Sequence, residues 1–257
     1  MTDPVPAPET PTARPAWFSG ARAGYVALGV SVVALGLAAA PYFTGGSNVR
    51  AYLLQHPEVL QEASAALSQK ENQARVDEIN QAATANAGLL APDSRDPSFG
   101  PVDAKVTVIE FFDFRCPGCK AVAHDYRALM AAHPEVRFVF KDWPILDRGE
   151  DVTSQYAARA ALAAHQQGKY LEVYDALMSE RALTMETVDR ILTEHGVDLA
   201  RAKTALASPD TTRHIADIHT TAAALRLQGT PSFFVNGKAS AGIDPAEIGR
   251  MIEAAKR

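Results

Sequence analysis

Cysteine is almost absent from this sequence. Only two cysteines occur among 257 residues, and both lie in a single C-x-x-C motif, at Cys116 and Cys119. The chain therefore lacks the multiple cysteine pairs that hold small secreted domains together. It also lacks a second cysteine pair at the spacing of a four-ligand zinc site. These absences favour a chemical role for the two cysteines over a structural one.

Dense clusters of lysine and arginine are also missing, and the net charge is -5 at pH 7. Proteins that bind nucleic acids normally carry a basic surface, so no nucleic-acid partner is expected. The histidines are scattered without metal-ligand spacing, and we predict neither a metal site nor a bound cofactor. With 47% hydrophobic residues the chain can bury one sizeable core, which predicts one main domain.

Charged side chains are missing from residues 23–49, near the N-terminus. Residues 1–22, which precede them, are rich in proline and poor in apolar side chains, and this composition predicts a disordered tail. Residues 25–43 form a nearly continuous apolar run that is long enough to cross a bilayer as a helix. We therefore predict a membrane anchor over residues 23–44, and a signal sequence cleaved near residues 38–40 is the less favoured alternative.

The orientation of this anchor follows from the charges that precede it. Arg14 and Arg22 lie before the apolar run. Because positive charge favours the cytoplasmic side, the tail is placed in the cytoplasm and the remainder of the chain outside it.

Residues 45–92 are rich in alanine, glutamine, glutamate and leucine and predict a helical stalk. Leu53, Leu60 and Leu67 recur at intervals of seven residues, as in coiled coils. His56 and Lys70 interrupt the pattern, so two interpretations stay open: the stalk associates with other copies, or it packs on the main domain.

The C-x-x-C motif stands between a strand and a helix. An apolar run over residues 106–112 predicts a buried strand, the pattern from Cys116 to Ala132 is helical, and residues 136–141 predict a second strand. Strand, helix and strand in this order form a βαβ unit with a parallel pair, which is the first half of a thioredoxin-type fold.

This position gives the two cysteines different properties. Cys116 follows Arg115 at the first turn of the helix, where free backbone N–H groups and the helix dipole favour a thiolate. Cys119 lies one turn deeper, where it can attack a mixed disulfide formed at Cys116. Half of a zinc site and a purely structural disulfide are the less favoured alternatives, since further ligands are lacking and so short a loop gains little stability from closure.

The rest of the chain predicts a mostly helical segment followed by a small hairpin. Helical patterns fill residues 150–227, a hairpin turns at Asn236–Gly237, and a last helix follows Asp244 and Pro245. The predicted helices cover residues 153–167, 170–178, 185–195, 199–207, 209–227 and 245–256.

Residues 97–257 resemble the DsbA-like thiol:disulfide oxidoreductases of bacterial envelopes. The resemblance is carried by F-F-x-F-x-C-P-x-C, the helical insertion, G-T-P-S-F-F-V-N-G-K and the last helix. It implies a thioredoxin-like α/β domain over residues 93–257, with the insertion at about 150–227. Residues 52–60, Y-L-L-Q-H-P-E-V-L, are similar to the leader of membrane-tethered or oligomeric branches, among them the ScsC-like proteins.

The resemblance assigns catalytic roles to three residues. It makes Cys116 the nucleophile and Cys119 the resolving thiol. Glu110 falls where many members have a buried carboxylate beneath the cysteines, where it would exchange a proton with Cys119. Without the resemblance, Glu110 is better interpreted as a strand residue that faces solvent.

Four further residues are expected to contact the substrate. Thr230 and Pro231 match the loop whose proline is cis, which leaves the Thr230 backbone free to pair with an extended substrate segment. Pro117 and Gly118 lie between the cysteines. Gly118 stands where the strongest oxidants of the family have histidine, and a threonine before the proline is similar to isomerase and ScsC-like branches.

The resemblance implies an envelope thiol:disulfide oxidoreductase that acts on cysteines of exported proteins and is recycled by a membrane redox partner. The expected location is the bacterial inner membrane, with the catalytic domain in the periplasm. The resemblance to oligomeric branches also points to self-association through the stalk. The net direction, oxidase, isomerase or reductase, stays open. The alternative is a non-catalytic membrane-tethered assembly or substrate-holding module, which the intact C-x-x-C and Thr230–Pro231 argue against.

Overall fold

The computed structural model describes residues 31–35 and 49–257, and the chain divides into two compact units at Ser68 and Gln69. In the first unit, the described residues comprise helical residues 31–35 and 49–55 and the start of helix α1 (Glu58–Ala85). Among the described residues, no helix is long and apolar enough to span a membrane. The predicted tail and most of the predicted anchor at 23–44 lie outside the described residues.

The second unit, residues 69–257, is built on a five-stranded sheet with the order β1-β3-β2-β4-β5. The strands are β1 (Ser98–Phe99), β2 (Thr107–Phe112), β3 (Arg137–Asp142), β4 (Ser232–Val235) and β5 (Lys238–Ala239). The helices after α1 are α2 (Pro117–Ala132), α3 (Thr153–His165), α4 (Tyr170–Ser179), α5 (Met185–Glu194), α6 (Leu199–Leu206), α7 (Pro209–Ala224) and α8 (Pro245–Ala255). A short 3-10 helix, Ala87–Leu90, follows α1.

Strands β2 and β3, which helix α2 connects, form the predicted parallel pair, with Glu110 opposite Phe140. Strands β4 and β5 form the predicted hairpin, and β4 pairs antiparallel to β2. Both central strands are buried almost throughout, because helices cover both faces of the sheet. The predicted thioredoxin-like fold with a helical insertion is confirmed.

The insertion, helices α3 to α7, lies between β3 and β4. Alanines on α3 are fully buried, and their small side chains let neighbouring helices approach closely. From α4, Tyr170 and Tyr174 pack against Phe140 of the sheet. Helix α7 ends at Ala224 and not at residue 227 as predicted, because Arg226 adopts a positive φ of 59° that ends the helix.

The segment before the first central strand contributes an edge strand to the sheet. Ser98 and Phe99 pair antiparallel to β3, and Phe99 packs against Phe140. Gly100, which follows, has a φ of 95°, and a Cβ there would lie 2.1 Å from the carbonyl oxygen of Val136. Only glycine fits this close approach.

The second half of α1 packs on the sheet domain. Val76, Ile79 and Ala83 are buried, and Asn80 accepts a hydrogen bond of 2.8 Å from the backbone N–H of Ala239. For this part of the predicted stalk, packing on the main domain is therefore observed. The compact unit accordingly begins before the predicted boundary at residue 93.

Candidate active site

The two cysteines lie at the start of α2, directly after the loop that follows β2. Cys116 is the N-cap residue, Pro117 is the first helical residue, and Cys119 lies inside the first turn. Both cysteines are free thiols. Cys116 keeps 8% of its surface exposed, whereas Cys119 is completely buried. A substrate can therefore reach only the first thiol.

The pKa of the Cys116 thiol is lowered to about 5. The main cause is a hydrogen bond from the Cys119 thiol, and the Thr230 side chain and the N–H groups of Cys119 and Gly118 add to it. Burial raises the pKa of Cys119 far above its usual range, and the hydrogen bond to Cys116 and the charge of Glu110 act in the same direction. At neutral pH the site therefore holds one thiolate and one thiol.

Arg115, which precedes Cys116, is engaged in ion pairs with two carboxylates. Its guanidinium pairs with Asp151 at 2.6 Å and with Asp147 at 3.3 Å. Two carboxylates therefore balance the positive charge next to Cys116.

Glu110 lies in β2 beneath the dithiol and is completely buried. Its Oε2 accepts a hydrogen bond of 3.3 Å from the Tyr174 hydroxyl, and Oε1 has no hydrogen-bond partner among the described residues. Burial raises the pKa of Glu110 to about 8, the charge of Asp142 also raises it, and the bond from Tyr174 partly offsets both. The interpretation of Glu110 as a solvent-facing strand residue is wrong. A carboxyl group with this pKa exchanges protons near neutral pH.

The loop before β4 lies against the cysteines. The Thr230–Pro231 peptide bond is cis, as the resemblance implies. The protonated Cys116 thiol donates a hydrogen bond of 3.1 Å to the carbonyl oxygen of Thr230. A Cβ at position 118 would lie 3.2 Å from Cδ of Pro231, so Gly118 permits the close approach of this loop to α2.

Ile243 completes the surface around the cysteines, and the sequence did not identify it. Its Cδ1 atom lies 3.8 Å from the Cβ position of a side chain at residue 118, and 41% of its surface is exposed. An isolated isoleucine in the loop between β5 and α8 gives no pattern that could have revealed this.

Asp113 is a second residue that sequence reasoning missed. This buried carboxylate accepts hydrogen bonds from the backbone N–H groups of Arg115, Ile145 and Leu146, and from the Ser154 hydroxyl. It thereby joins the active-site turn to the loop after β3 and to the first residues of α3. The available signal was an acidic residue between two phenylalanines, Phe112 and Phe114, directly before the C-x-x-C.

Lys120, next to Cys119, links α2 to the insertion. Its ammonium group donates hydrogen bonds to the carbonyl oxygens of Leu177 and Glu180, at 2.9 and 2.7 Å, and to that of Met178. These carbonyls belong to the C-terminal end of α4, which favours a positive charge. The part of the chain that the structure describes contains no group of three or more histidine, cysteine, aspartate or glutamate residues able to hold a metal ion.

Family comparison agrees with this geometry. The model of the DSBA-like thioredoxin domain matches residues 107–248, which is more than half of the chain. The model of the N-terminal domain of the copper resistance protein ScsC matches residues 46–74. The second match covers the part of the chain that resembles the leader of the ScsC-like branch.

Individual relatives differ in how much of their own length is matched. A Na(+)/H(+) antiporter NhaA 3 from Salinispora tropica is 36% identical over 145 residues, which are 56% of this chain but only 22% of that protein. A probable disulfide bond formation protein D from Bacillus cereus is 30% identical over 160 residues, which are 56% of this chain and 71% of that protein. The chain thus spans about a fifth of the length of the antiporter.

Among solved structures, a thioredoxin-like oxidoreductase from Silicibacter pomeroyi is 39% identical. The similarity has a TM-score of 0.59 and covers 64% of this chain and 94% of the other. The family match, this fold and the C-x-x-C geometry lead to one conclusion: the chain belongs to the family of DSBA-like thioredoxin domains.

Proposed function

We propose that this protein is a thiol:disulfide oxidoreductase that exchanges disulfides with cysteines of exported proteins. The observation that carries the proposal is the unequal pair of thiols: a partly exposed Cys116 with a pKa of about 5 and a buried, protonated Cys119. A purely structural disulfide does not depend on a difference in exposure and pKa between its two thiols. A nucleophile and a resolving thiol do depend on it.

The proposed reaction begins when the Cys116 thiolate attacks one sulfur of a substrate disulfide. The substrate S–S bond breaks, a Cys116–substrate disulfide forms, and the second substrate sulfur leaves as a thiolate and takes up a proton from water. Cys119 then transfers its proton to the ionised form of Glu110 and attacks Sγ of Cys116. The substrate is released with two thiols, and the two electrons it has gained come from the Cys116 and Cys119 thiols, which are oxidised to the Cys116–Cys119 disulfide.

Substrate oxidation is the reverse of these steps. A substrate thiolate attacks Sγ of Cys116, and Cys119 leaves as a thiolate that accepts a proton from protonated Glu110. Because the pKa of Glu110 lies near 8, both of its forms are populated close to neutral pH, and the same group serves both directions. Isomerisation follows when another thiol of the substrate attacks the mixed disulfide before Cys119 does.

Thr230, Pro231, Pro117 and Gly118 are proposed to bind the substrate around its reactive sulfur. The Thr230 carbonyl already lies 3.1 Å from Sγ of Cys116, so a substrate sulfur bonded to Cys116 would lie directly beside the loop. An extended substrate segment can pair with the backbone of Thr230 in the manner of an added strand.

The net direction depends on the stability of the reduced form. A stabilised thiolate makes a dithiol more oxidising, and related proteins range from about -120 to about -270 mV. Here the Cys119 thiol and Thr230 stabilise the thiolate, while Gly118 offers no side-chain donor. We propose oxidase or isomerase activity, with the recycling partner, a membrane redox protein, setting the balance.

The experiment for this function is thiol trapping in cells. Rapid acid quenching followed by alkylation records whether Cys116 and Cys119 are oxidised. A mostly oxidised pair identifies an oxidase, and a mostly reduced pair identifies an isomerase or reductant. If the purified protein neither oxidises nor reduces any peptide disulfide, and the Cys116→Ala variant behaves identically, the non-catalytic holding function replaces this one.

We also propose that the chain is anchored in the inner membrane by residues 23–44 and that it self-associates through the first part of the stalk. The uncharged apolar run supports the anchor. For the stalk, the support is a set of exposed apolar side chains on residues 49–68: Val49, Tyr52, Leu54, Leu60 and Leu67. Several dithiols near one misfolded substrate would raise their local concentration and favour repeated attack, and hence isomerisation.

A further inference from the structure

A groove of about 360 Å³ lies beside the cis-proline loop, and neither cysteine is among the residues that line it. Residues 227–234 form one side, and residues 239–243 form the second. The third side is the second half of helix α1, which contributes Asn72, Arg75, Val76 and Ile79. The helix predicted as part of a stalk thus forms a wall beside the substrate loop.

This wall is held firmly in place. Val76 and Ile79 are buried, so the helix cannot leave without exposing apolar surface. Asn72 donates a hydrogen bond of 2.7 Å to the carbonyl oxygen of Ala241, and Asn80 accepts one from the N–H of Ala239. The groove is therefore a built feature of the domain.

Among the residues that the structure describes, Arg75 is the one charged side chain that lines the groove. It is exposed, and it makes no hydrogen bond or ion pair with any residue that the structure describes. Among the acidic residues near it on the helix, Glu78 pairs with Arg226 and Asp77 accepts a hydrogen bond from Gln73. Glu71, one turn before Arg75, makes no hydrogen bond or ion pair with any residue that the structure describes, Arg75 included. The groove thus offers a single cation.

The groove is continuous with the active site. Thr230 and Pro231 line it, and the Thr230 carbonyl oxygen contacts Sγ of Cys116. An extended peptide advances about 3.3 Å per residue. A substrate whose cysteine lies at Cys116 and whose backbone follows Thr230 therefore places residues near its cysteine in this groove.

We propose that this groove binds an extended substrate segment adjacent to the reactive cysteine, and that Arg75 selects substrates with an acidic side chain there. The proposal rests on the proposed disulfide exchange and adds a preference for one chemical class of substrate. Arg75 is a specificity-determining residue and takes no part in the exchange itself.

The test uses the reduced full-length protein and three synthetic peptides. Each peptide carries one cysteine as a mixed disulfide with thionitrobenzoate, flanked on both sides by glutamate, glutamine or lysine in an otherwise identical sequence. The Cys116 thiolate attacks the peptide sulfur, the S–S bond breaks, and the coloured thionitrobenzoate thiolate leaves. Its release gives the rate constant for each peptide.

The glutamate peptide is expected to react about threefold faster than the glutamine peptide, and the lysine peptide about threefold slower, as for one exposed charge pair. The preference should disappear in Arg75→Gln, invert in Arg75→Glu, and shrink at about 1 M salt. Lys70→Gln, on the same helix but outside the groove, is the matched control and should keep the preference. A mixed disulfide of thionitrobenzoate with uncharged mercaptoethanol should react equally with all variants.

Several outcomes overturn the proposal. Equal rates for the three peptides, or a preference that survives in Arg75→Gln, remove the acidic selectivity. A loss of preference in Lys70→Gln as large as in Arg75→Gln assigns the effect to overall charge. If Arg75→Gln instead changes the sedimentation of the protein, the groove is an interface between copies. A protein that reacts with neither the peptides nor the mercaptoethanol reagent contradicts the proposed exchange itself, which separates that failure from failure of the groove.

Discussion

The Sγ atom of Cys116 lies 3.1 Å from the backbone carbonyl oxygen of Thr230, although 114 positions separate the two residues in the sequence. This contact joins the start of α2 to the loop before β4. It places the Cys116 sulfur beside the loop that we propose pairs with the substrate, so the dithiol and the proposed substrate groove meet at this point.

The unequal thiols predict selective alkylation. Cys116 should be modified first in the reduced protein, with a rate that rises through about pH 5, because its pKa is lowered by the hydrogen bond from Cys119. Cys119 should stay unmodified in the folded protein, since it is buried and protonated. Mass spectrometry of quenched samples measures how much of each cysteine is modified. The urea-unfolded protein, in which the pKa values of both thiols return to about 8.5, is the control. Equal reactivity of the two thiols at every pH would contradict the assignment.

Glu110 predicts a specific change in the pH dependence of stability. Its folded pKa of about 8 lies above the unfolded value of about 4.3. Its contribution to stability is therefore complete below about pH 4 and is lost as the pH rises through 8. Replacing Glu110 with Gln removes this loss. Urea unfolding of the reduced variant should show stability that rises more steeply with pH between 5 and 8 than that of the wild type.

Cys116 acts in the opposite direction in the same pH range, which supplies a control. Its folded pKa of about 5 lies below the unfolded value of about 8.5, so its contribution is present above pH 8.5 and is lost as the pH falls through 5. In Cys116→Ser the stability should rise less steeply with pH than in the wild type. A Glu110→Gln variant that follows the wild-type profile would show that this carboxyl group is not the one that titrates.

Removal of the resolving thiol should trap substrates. In Cys119→Ala the mixed disulfide on Cys116 cannot be resolved from within the protein, so it should accumulate. Non-reducing gels of cell extracts should show adducts of higher mass that disappear with dithiothreitol. Cys116→Ala should show none, and the same set of adducts in both variants would mean that the roles are reversed.

Asp113 predicts a large loss of stability without direct participation in chemistry. Asp113→Ala leaves the N–H groups of Ile145 and Leu146 and the Ser154 hydroxyl without their acceptor, at a cost of about 2–4 kcal/mol. Asp125→Ala, on the exposed face of α2, should change the free energy of unfolding by less than about 0.5 kcal/mol. Equal effects of the two substitutions in urea unfolding would show that the Asp113 contacts do not stabilise the fold.

The first part of the stalk predicts an oligomer. A protein that begins at residue 48 should sediment as an oligomer at micromolar concentration, because Leu60 and Leu67 are more than half exposed in the single chain. Replacing both leucines with glutamate should give a monomer with weaker isomerase and stronger oxidase activity. Lys70→Glu is the control for added negative charge. If the unsubstituted protein is already monomeric, the stalk is a spacer and does not set the activity.

The sequence alone predicted the elements whose evidence is local. The apolar run before Cys116 and the helical pattern after it predicted β2 and α2, because burial on both faces and a helix start leave a signature within a few residues. Asp244 and Pro245 predicted the start of α8 in the same way, and the Asp244 side chain accepts a hydrogen bond from the N–H of Ala246. The family resemblance was needed for Glu110 and the cis-proline loop, since neither has a distinctive pattern of its own.

Only the tertiary structure decided which distant residues meet. Asn72 and Ala241 are 169 positions apart, and their hydrogen bond turns a predicted stalk into one wall of a groove. Likewise, Asp113 acquires its partners only when the loop after β3 folds back over the active-site turn. Local sequence indicates helices because helix hydrogen bonds join residues four positions apart, and it indicates strands because their buried side chains form short apolar or alternating runs. Contacts between distant segments depend on how the whole chain buries its apolar surface, and no short pattern in the sequence records that.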